Sequence, residues 1–348
     1  DKSVATNLAA SASAATTTLS VTNARVFSEA VPFNVNIGNE VVRVTAVNTA
    51  SNTLTVVRGQ ASTIAAAHPL RTVLVPSSAD GTIGRPFGLI SNALSAAVAG
   101  DIVRILANGG ADNNVATTND NRPYVVGLDA GLNTLEDGDK FEVPKDVLVQ
   151  IDAGAVIKLQ KAIIDAGSST QGVDHSGGAV QVLGTPGLNV YLTSARNDSL
   201  GGDSDGVTGN PQPGDWGGLV YREDSDFIAT DVSTNASDSP IILNYVNQAT
   251  ITYGGGLVQV DGADETLTPI HLVTARPTIT NNTISLSAKG AVSADPDSFS
   301  DSRGRIGPDI HGNNVTGNTT NALVIRSDSG ASKLTAAARF DDTDIVHV

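Results

Sequence analysis

The sequence predicts an all-β protein: a right-handed parallel β-helix (solenoid) with an N-terminal capping helix, preceded by a small β module. Three observations carry this expectation. The 348 residues hold 30 Asp but only 6 Glu. Glu and Lys usually fill exposed helix faces, whereas Asp and Gly collect in turns and caps. Most of the chain consists of short apolar runs broken by Gly, Asp or Asn every few residues, which is strand punctuation. An internal repeat near the C-terminus fits parallel stacking better than hairpins.

Residues 1–80 read as one β-rich module behind an Ala/Ser-rich N-terminal linker. Thr18–Val21, Phe33–Ile37, Val41–Val47 and Thr53–Val57 are β-branched runs with period-2 alternation. Gly38-Asn39 and Asn52 supply turn residues between them. A Ser/Gly/Pro-rich boundary at 77–88 leads into the best helix candidate, Pro86–Ala99. There Leu89, Ile90, Ala93, Leu94, Ala97 and Val98 recur at helical spacing, with Pro86 suited to the first turn and Gly100 to the C′ position. The predicted β-helix then occupies 81–348, the helix covering the open face and unpaired edges of its first coil.

The repeat aligns Ile279–Ile284 with Ile310–Val315, an offset of 31 residues (310 − 279 = 31). It continues without a gap: Ser287 falls on Asn318, Gly290 on Asn321, Ala291 on Ala322 and Val292 on Leu323. Apolar positions of such a unit point into a shared core. An Asn at a corner hydrogen-bonds its counterpart one coil away, which satisfies an amide otherwise half-buried and unpaired. Coils stack at the ordinary strand spacing of ~4.8 Å. A narrow core of this kind prefers Val, Ile, Leu and Ala, in keeping with 4% aromatic residues.

Two stretches carry a family resemblance. Residues 147–226, with the blocks Thr193–Ser199 (TSARNDS) and Gly214–Gly218 (GDWGG), and residues 269–326 resemble right-handed parallel β-helix segments of very large secreted bacterial proteins. Those are surface, adhesin-like or fibre-forming proteins. The stretch 33–69 resembles small β modules of phage tails and bacterial surface proteins, which serve as adaptors. The resemblance implies an extracellular or cell-surface location. It also implies that coils continue past the final DDTDIVHV (341–348), so a bare C-terminal tip is expected.

Composition excludes several functions. A net charge of −15 and a pI near 4.5 oppose binding to a phosphate backbone, so no nucleic-acid partner is expected. Zero Cys removes a thiolate nucleophile, a Cys-ligated zinc and any disulfide framework. No run of about 18 apolar residues occurs, so no membrane span is expected. With no Met and a start at Asp1, the chain reads as a processed piece.

Asp198, Asp203 and Asp205 form the leading metal candidate, because hard oxygen ligands close together in a Gly-rich loop suit Ca²⁺. The spacing Asp203-x-Asp205-Gly206 echoes an EF-hand start, but no bidentate Glu follows. The competing reading is a solvated turn with Asx hydrogen bonds. Asp224/Asp226 and Asp341/Asp342/Asp344 read as corner residues. Trp216 suits either carbohydrate stacking or packing under a returning loop, and packing is the expectation. His175, His271, His311 and His347 are scattered singles, and five Asn-x-Ser/Thr sequons (Asn197, Asn235, Asn281, Asn314, Asn318) follow from composition.

The expected function is structural: a subunit or segment of an extracellular bacterial fibre, sheath or surface layer. Copies would join head-to-tail, the N-terminal module of one docking on the open β-helix end of the next. Non-closing heterologous contacts of that type give filaments. One alternative is a cell-surface adhesin that binds glycans. Another is a polysaccharide lyase or hydrolase, which needs paired carboxylates or an acidic cluster with a basic partner in a groove. No catalytic set is assigned.

Overall fold

The computed structural model describes residues 5–27, 31–61, 63–77, 81, 86–169, 172–227, 242–302, 305–326, 338–340 and 343–348. The chain divides into two compact units, Asp1–Ala93 and Leu94–Val348.

The first unit is a six-stranded antiparallel half-barrel. Its strands are β1 (Thr6–Asn7), β2 (Thr18–Ser20), β3 (Phe33–Ile37), β4 (Glu40–Asn48), β5 (Thr53–Gln60) and β6 (Val73–Pro76). They lie in the order β1-β6-β3-β4-β5-β2. The alternation read in Phe33–Ile37 places Phe33, Val35 and Ile37 inside, against Val42, Val44 and Leu54. A bridge from Leu8 to Val21 joins the two outer strands, so the edges of this sheet meet rather than face solvent. Residues expected to form a linker belong to the barrel: Leu8 and Ala12 are buried in its core. Their Ala/Ser-rich setting hid two well-spaced apolar side chains.

The one α-helix among the described residues, α1 (Ile90–Ala96), is shorter than the expected 86–99. Gly100 takes a positive φ of 91°, a conformation that suits glycine, and its N–H donates to the Asp146 carbonyl at 2.8 Å.

The second unit contains strands that visit three sheets in turn. The first three are β7 (Ile102–Ile105), β8 (Tyr124–Gly127) and β9 (Phe141–Glu142). Next come β10 (Leu148–Asp152), β11 (Val156–Gln160) and β12 (Ile164–Ala166), then β13 (Ala179–Leu183), β14 (Val190–Ser194) and β15 (Leu219–Arg222). After β16 (Tyr245–Asn247) and β17 (Ala249–Thr252), an antiparallel ribbon of β18 (Leu257–Val260) and β19 (Ala263–Thr266) intervenes before β20 (Ile270–Val273). Following β21 (Thr278–Thr280), β22 (Thr283–Ser285) and β23 (Gly290–Ala294) is a second ribbon, β24 (Asp301–Ser302) with β25 (Arg305–Ile306). The last three are β26 (Asp309–His311), β27 (Asn314–Thr316) and β28 (Thr320–Ile325).

The result is three parallel six-stranded sheets, ordered β26-β21-β16-β13-β10-β7, β27-β22-β17-β14-β11-β8 and β28-β23-β20-β15-β12-β9. In-register apolar residues form a column on each. Ile105, Ile151, Val182, Val246, Ile279 and Ile310 run along the first. Tyr124, Ile157, Leu192, Ile251 and Ile284 run along the second, and Phe141, Ile164, Leu219, Ile270, Val292 and Leu323 along the third. Nearly all are fully buried, and each contributes roughly 1.5–3 kcal/mol of hydrophobic stabilisation.

The expectation of one right-handed parallel β-helix is corrected. The strands form three separate parallel sheets and an antiparallel half-barrel, with 41% of residues in strands and 6% in helix, and no single β-helix solenoid is shown. Parallel strands start at Ile102, directly after the helix. Spacing between neighbours is also uneven: Gln150 and Gln181 are 31 residues apart, whereas Val180 and Asn244, on adjacent layers, are 64 apart. A repeat specifies which strand lies beside which. It does not specify how several sheets are joined when long insertions separate the copies.

The offset of 31 does appear as strand register, pairing Ile279 with Ile310, Ile284 with Val315 and Val292 with Leu323. A bulge after Gly290 pairs that residue with Thr320 instead of Asn321. The Asn rungs form as well. Asn282 Nδ2 donates to Asn313 Oδ1 at 2.9 Å, and the Ser287 amide donates to Asn318 Oδ1 at 3.1 Å.

Two of the last three strands, β26 and β28, are not bare. Residues 343–348 return to them, with parallel bridges from Thr343 to Ile310 and from His347 to Leu323.

Candidate cation-binding loop

The segment joining β14 to β15 carries the three expected carboxylates. One carboxylate oxygen from each of Asp198, Asp203 and Asp205 lies within 4.8 Å of the others, and all three residues are half-buried. Local Asx bonds shape the loop: Asp203 Oδ1 accepts from the Gly206 amide at 2.8 Å and Asp205 Oδ1 from the Val207 amide at 3.0 Å. Asp198 Oδ2 accepts from the Gly209 amide at 3.2 Å, while its Oδ1 is buried without a hydrogen-bond partner among the described residues.

Both ends of the loop are fastened to the sheet. Asn197 Nδ2 donates to Thr193 Oγ1 at 2.9 Å, and the Ser194 hydroxyl donates to Asp215 at 2.6 Å. Trp216 is fully buried, and its indole N–H donates to the Thr252 carbonyl at 2.8 Å. It therefore packs the loop down and presents no ring face for sugar stacking. Gly218 follows because a Cβ there would lie 2.0 Å from the Thr268 carbonyl oxygen.

Sequence reasoning missed the fourth charged member. Lys158, on β11, has no exposure, yet its ammonium donates to the Gly202 carbonyl at 2.5 Å and to the Ser204 hydroxyl at 2.6 Å. Burial lowers its pKa to about 8, against an opposing pull from Asp198, Asp205 and Asp203. The signal was a lysine inside the apolar run Val156–Leu159, at a position facing away from the core column. Oxygen donors of this kind fit a hard cation, which takes 6–8 of them as Ca²⁺. The loop thus combines three carboxylates with one built-in ammonium that already occupies a main-chain oxygen.

The other acidic candidates are structural. Asp224 accepts from the Ser168 amide at 2.9 Å, and Asp226, fully buried, accepts from the Arg276 amide at 3.1 Å. Asp344 accepts from the Gly312 amide at 2.6 Å. Asp341, Asp342 and Asn235 lie outside the described residues. Of the histidines, His175 Nδ1 contacts the Val143 carbonyl at 2.6 Å, His311 lies 2.5 Å from Asp309, and His347 contacts Thr343. His271 is buried beside Ser293, with Nδ1 at 3.1 Å from its hydroxyl. Burial, then the charges of Arg326 and Arg222, lower its pKa to about 3.

Two further buried networks had no signature in the sequence. In the half-barrel, Glu40 accepts from Arg58 at 2.8 and 2.7 Å, from the amides of Gly59 and Ala66, and contacts His68 at 2.8 Å. On the third parallel sheet, Arg222 makes a two-pronged contact with Asp165 at 3.0 Å on each prong. Both are pairs of residues far apart in the chain, so only folding brings them together. No helix among the described residues is long and apolar enough to cross a membrane. No protein-family model matches the chain, and no curated protein matches it.

Proposed function

We propose that this chain is a structural segment of an extracellular bacterial fibre, sheath or surface layer, assembled by contact between copies. The observation that supports this best is the layer-to-layer bonding of the parallel sheets. Side chains as well as backbones are tied from one strand to the next. Gln150 donates to Gln181 at 2.9 Å, Thr193 and Thr252 hydroxyls meet at 2.8 Å, Thr280 donates to Asn247 at 3.0 Å and Asn282 to Asn313 at 2.9 Å. Such rungs resist sliding of one strand past its neighbour, a property suited to load-bearing material.

The contact between copies then runs through edge strands of the parallel sheets, where main-chain groups supply the hydrogen bonds. The half-barrel is a poorer donor of a free strand, because Leu8 and Val21 bridge its outer strands. Sedimentation velocity and negative-stain electron microscopy across a wide concentration range test the reading. Filaments or end-to-end oligomers are expected; one monomeric species throughout sinks it.

Within the same reading the Asp198, Asp203 and Asp205 loop takes Ca²⁺, which stiffens the insertion over its sheet. Removing calcium with EDTA should lower the melting temperature. An unchanged value removes the calcium assignment and leaves Lys158 as the cation facing the three carboxylates.

A further inference from the structure

We propose that residues 343–348 form a displaceable strap that occupies the edges on which strands of a second copy add, an inference that rests on the structural reading above. The strap crosses from one sheet to another within a few residues. The Asp344 amide donates to the Ile310 carbonyl on β26 at 3.0 Å. On β28, Leu323 and Ile325 amides donate to the Val346 and Val348 carbonyls at 2.8 Å each, and the Val348 amide donates back to Leu323 at 2.9 Å. Both bridges are parallel, like every other pairing in these two sheets. The strap therefore fills the place of a next strand in two of the three sheets, and in the same direction.

Its hold is slight for a strand in that place. Ile345 is its buried anchor at 9% exposure, while Val346 and Val348 remain 69% and 66% exposed. Upstream, Phe340 stacks on the buried Phe299 with ring centres 4.3 Å apart, and the Arg339 amide donates to the Phe299 carbonyl at 3.0 Å. A full strand from another copy would bring apolar residues at alternate positions against the columns ending at Ile310 and Leu323, where the strap brings one isoleucine. An edge covered this way is protected from uncontrolled pairing yet open to exchange with a stronger partner.

The test uses the full chain with Ile345→Asp, which removes the anchor, and Val348→Pro, which removes one edge hydrogen bond at an exposed residue. Hydrogen exchange of the Asp344, Leu323 and Ile325 amides is read beside sedimentation velocity. In both variants these amides should exchange at least about tenfold faster at low concentration. As concentration rises, Leu323 and Ile325 should regain protection while larger species appear, at concentrations below those the unaltered chain needs. Variants with a released strap that sediment like the unaltered chain at every concentration overturn the inference. If the unaltered chain polymerises with the strap amides still protected, the strap idea falls and the structural reading stands. If neither variants nor unaltered chain assemble, both fall. Should Ile345→Asp lose protection at Val246 and Ile279 as well, it has unfolded, and Val348→Pro decides the matter.

Discussion

Lys158 Nζ donates to the Gly202 carbonyl oxygen at 2.5 Å, so a side chain without solvent exposure reaches from β11 into the loop of Asp198, Asp203 and Asp205. Its pKa is lowered from 10.5 to about 8, chiefly by burial. The unfolded chain therefore binds the extra proton between these values, and stability rises as pH climbs from about 8 to 10.5. The gain is about 1.4 kcal/mol per pH unit, roughly 3 kcal/mol in all. Lys158→Met should lose this dependence, and calcium should then raise its melting temperature more than that of the unaltered chain. Urea unfolding at several pH values, with and without calcium, measures both; equal pH profiles for the two proteins would refute the assignment.

Glu40 behaves in the opposite sense. Burial alone raises its pKa, but hydrogen bonds from Arg58, the Ala66 amide, His68 and the Gly59 amide overcome it and hold the carboxyl at about 2. The stability this provides is complete above pH 4.5 and is lost as pH falls toward 2, a span worth about 3 kcal/mol. Glu40→Gln should cost about 3–5 kcal/mol at neutral pH, because it leaves the buried Arg58 charge without a carboxylate, held by the carbonyls of Ser13, Thr16 and Ala66 alone. Acid unfolding followed through the half-barrel should lose its steepest part in the variant.

His271 should remain neutral well into the acid range. With its pKa lowered to about 3 by burial, then by Arg326 and Arg222, the unfolded chain binds the proton first. Its contribution is intact above pH 6.5 and declines below it by about 1.4 kcal/mol per pH unit. Histidine NMR should show the His271 ring shifts constant from pH 7 to about 4.5. A midpoint near 6.5 in the folded protein would contradict this packing.

A buried Asn rung should matter more than an exposed Asn outside the rungs. Asn282 is 1% exposed, donates to Val246 and Asn313, and accepts from the Ala249 amide at 2.8 Å. Asn282→Ala orphans these groups at about 1–3 kcal/mol each, so a total near 3 kcal/mol or more is expected. The exposed Asn314→Ala should change stability by less than about 0.5 kcal/mol. Similar losses at both positions would mean the rungs carry no special load.

Gly218→Ala is the test of the loop's return path. The added Cβ would meet the Thr268 carbonyl oxygen at 2.0 Å, so backbone must shift, at a cost of about 1–3 kcal/mol or more. Thermal unfolding, with tryptophan fluorescence reporting the burial of Trp216, reads the loss. A variant with native stability and unchanged emission would show that the loop enters the sheet by another route.

Local patterns were legible in the sequence because they depend on neighbours in the chain. Alternation in Phe33–Ile37 placed three side chains inside the half-barrel, and the offset from Ile279 to Ile310 gave the register of parallel neighbours. The acidic loop was legible too, since its carboxylates lie within eight residues and one oxygen of each comes within 4.8 Å of the others. What only the tertiary structure decided is longer in range. Lys158 entering the Asp loop, Arg222 meeting Asp165, Arg58 meeting Glu40 and residues 343–348 returning to β26 and β28 all join distant positions. The division into three parallel sheets and a half-barrel belongs here as well. No local preference encodes such meetings; they follow from how insertions of unequal length route the chain between sheets, and from the cost of leaving a buried charge or a strand edge without a partner.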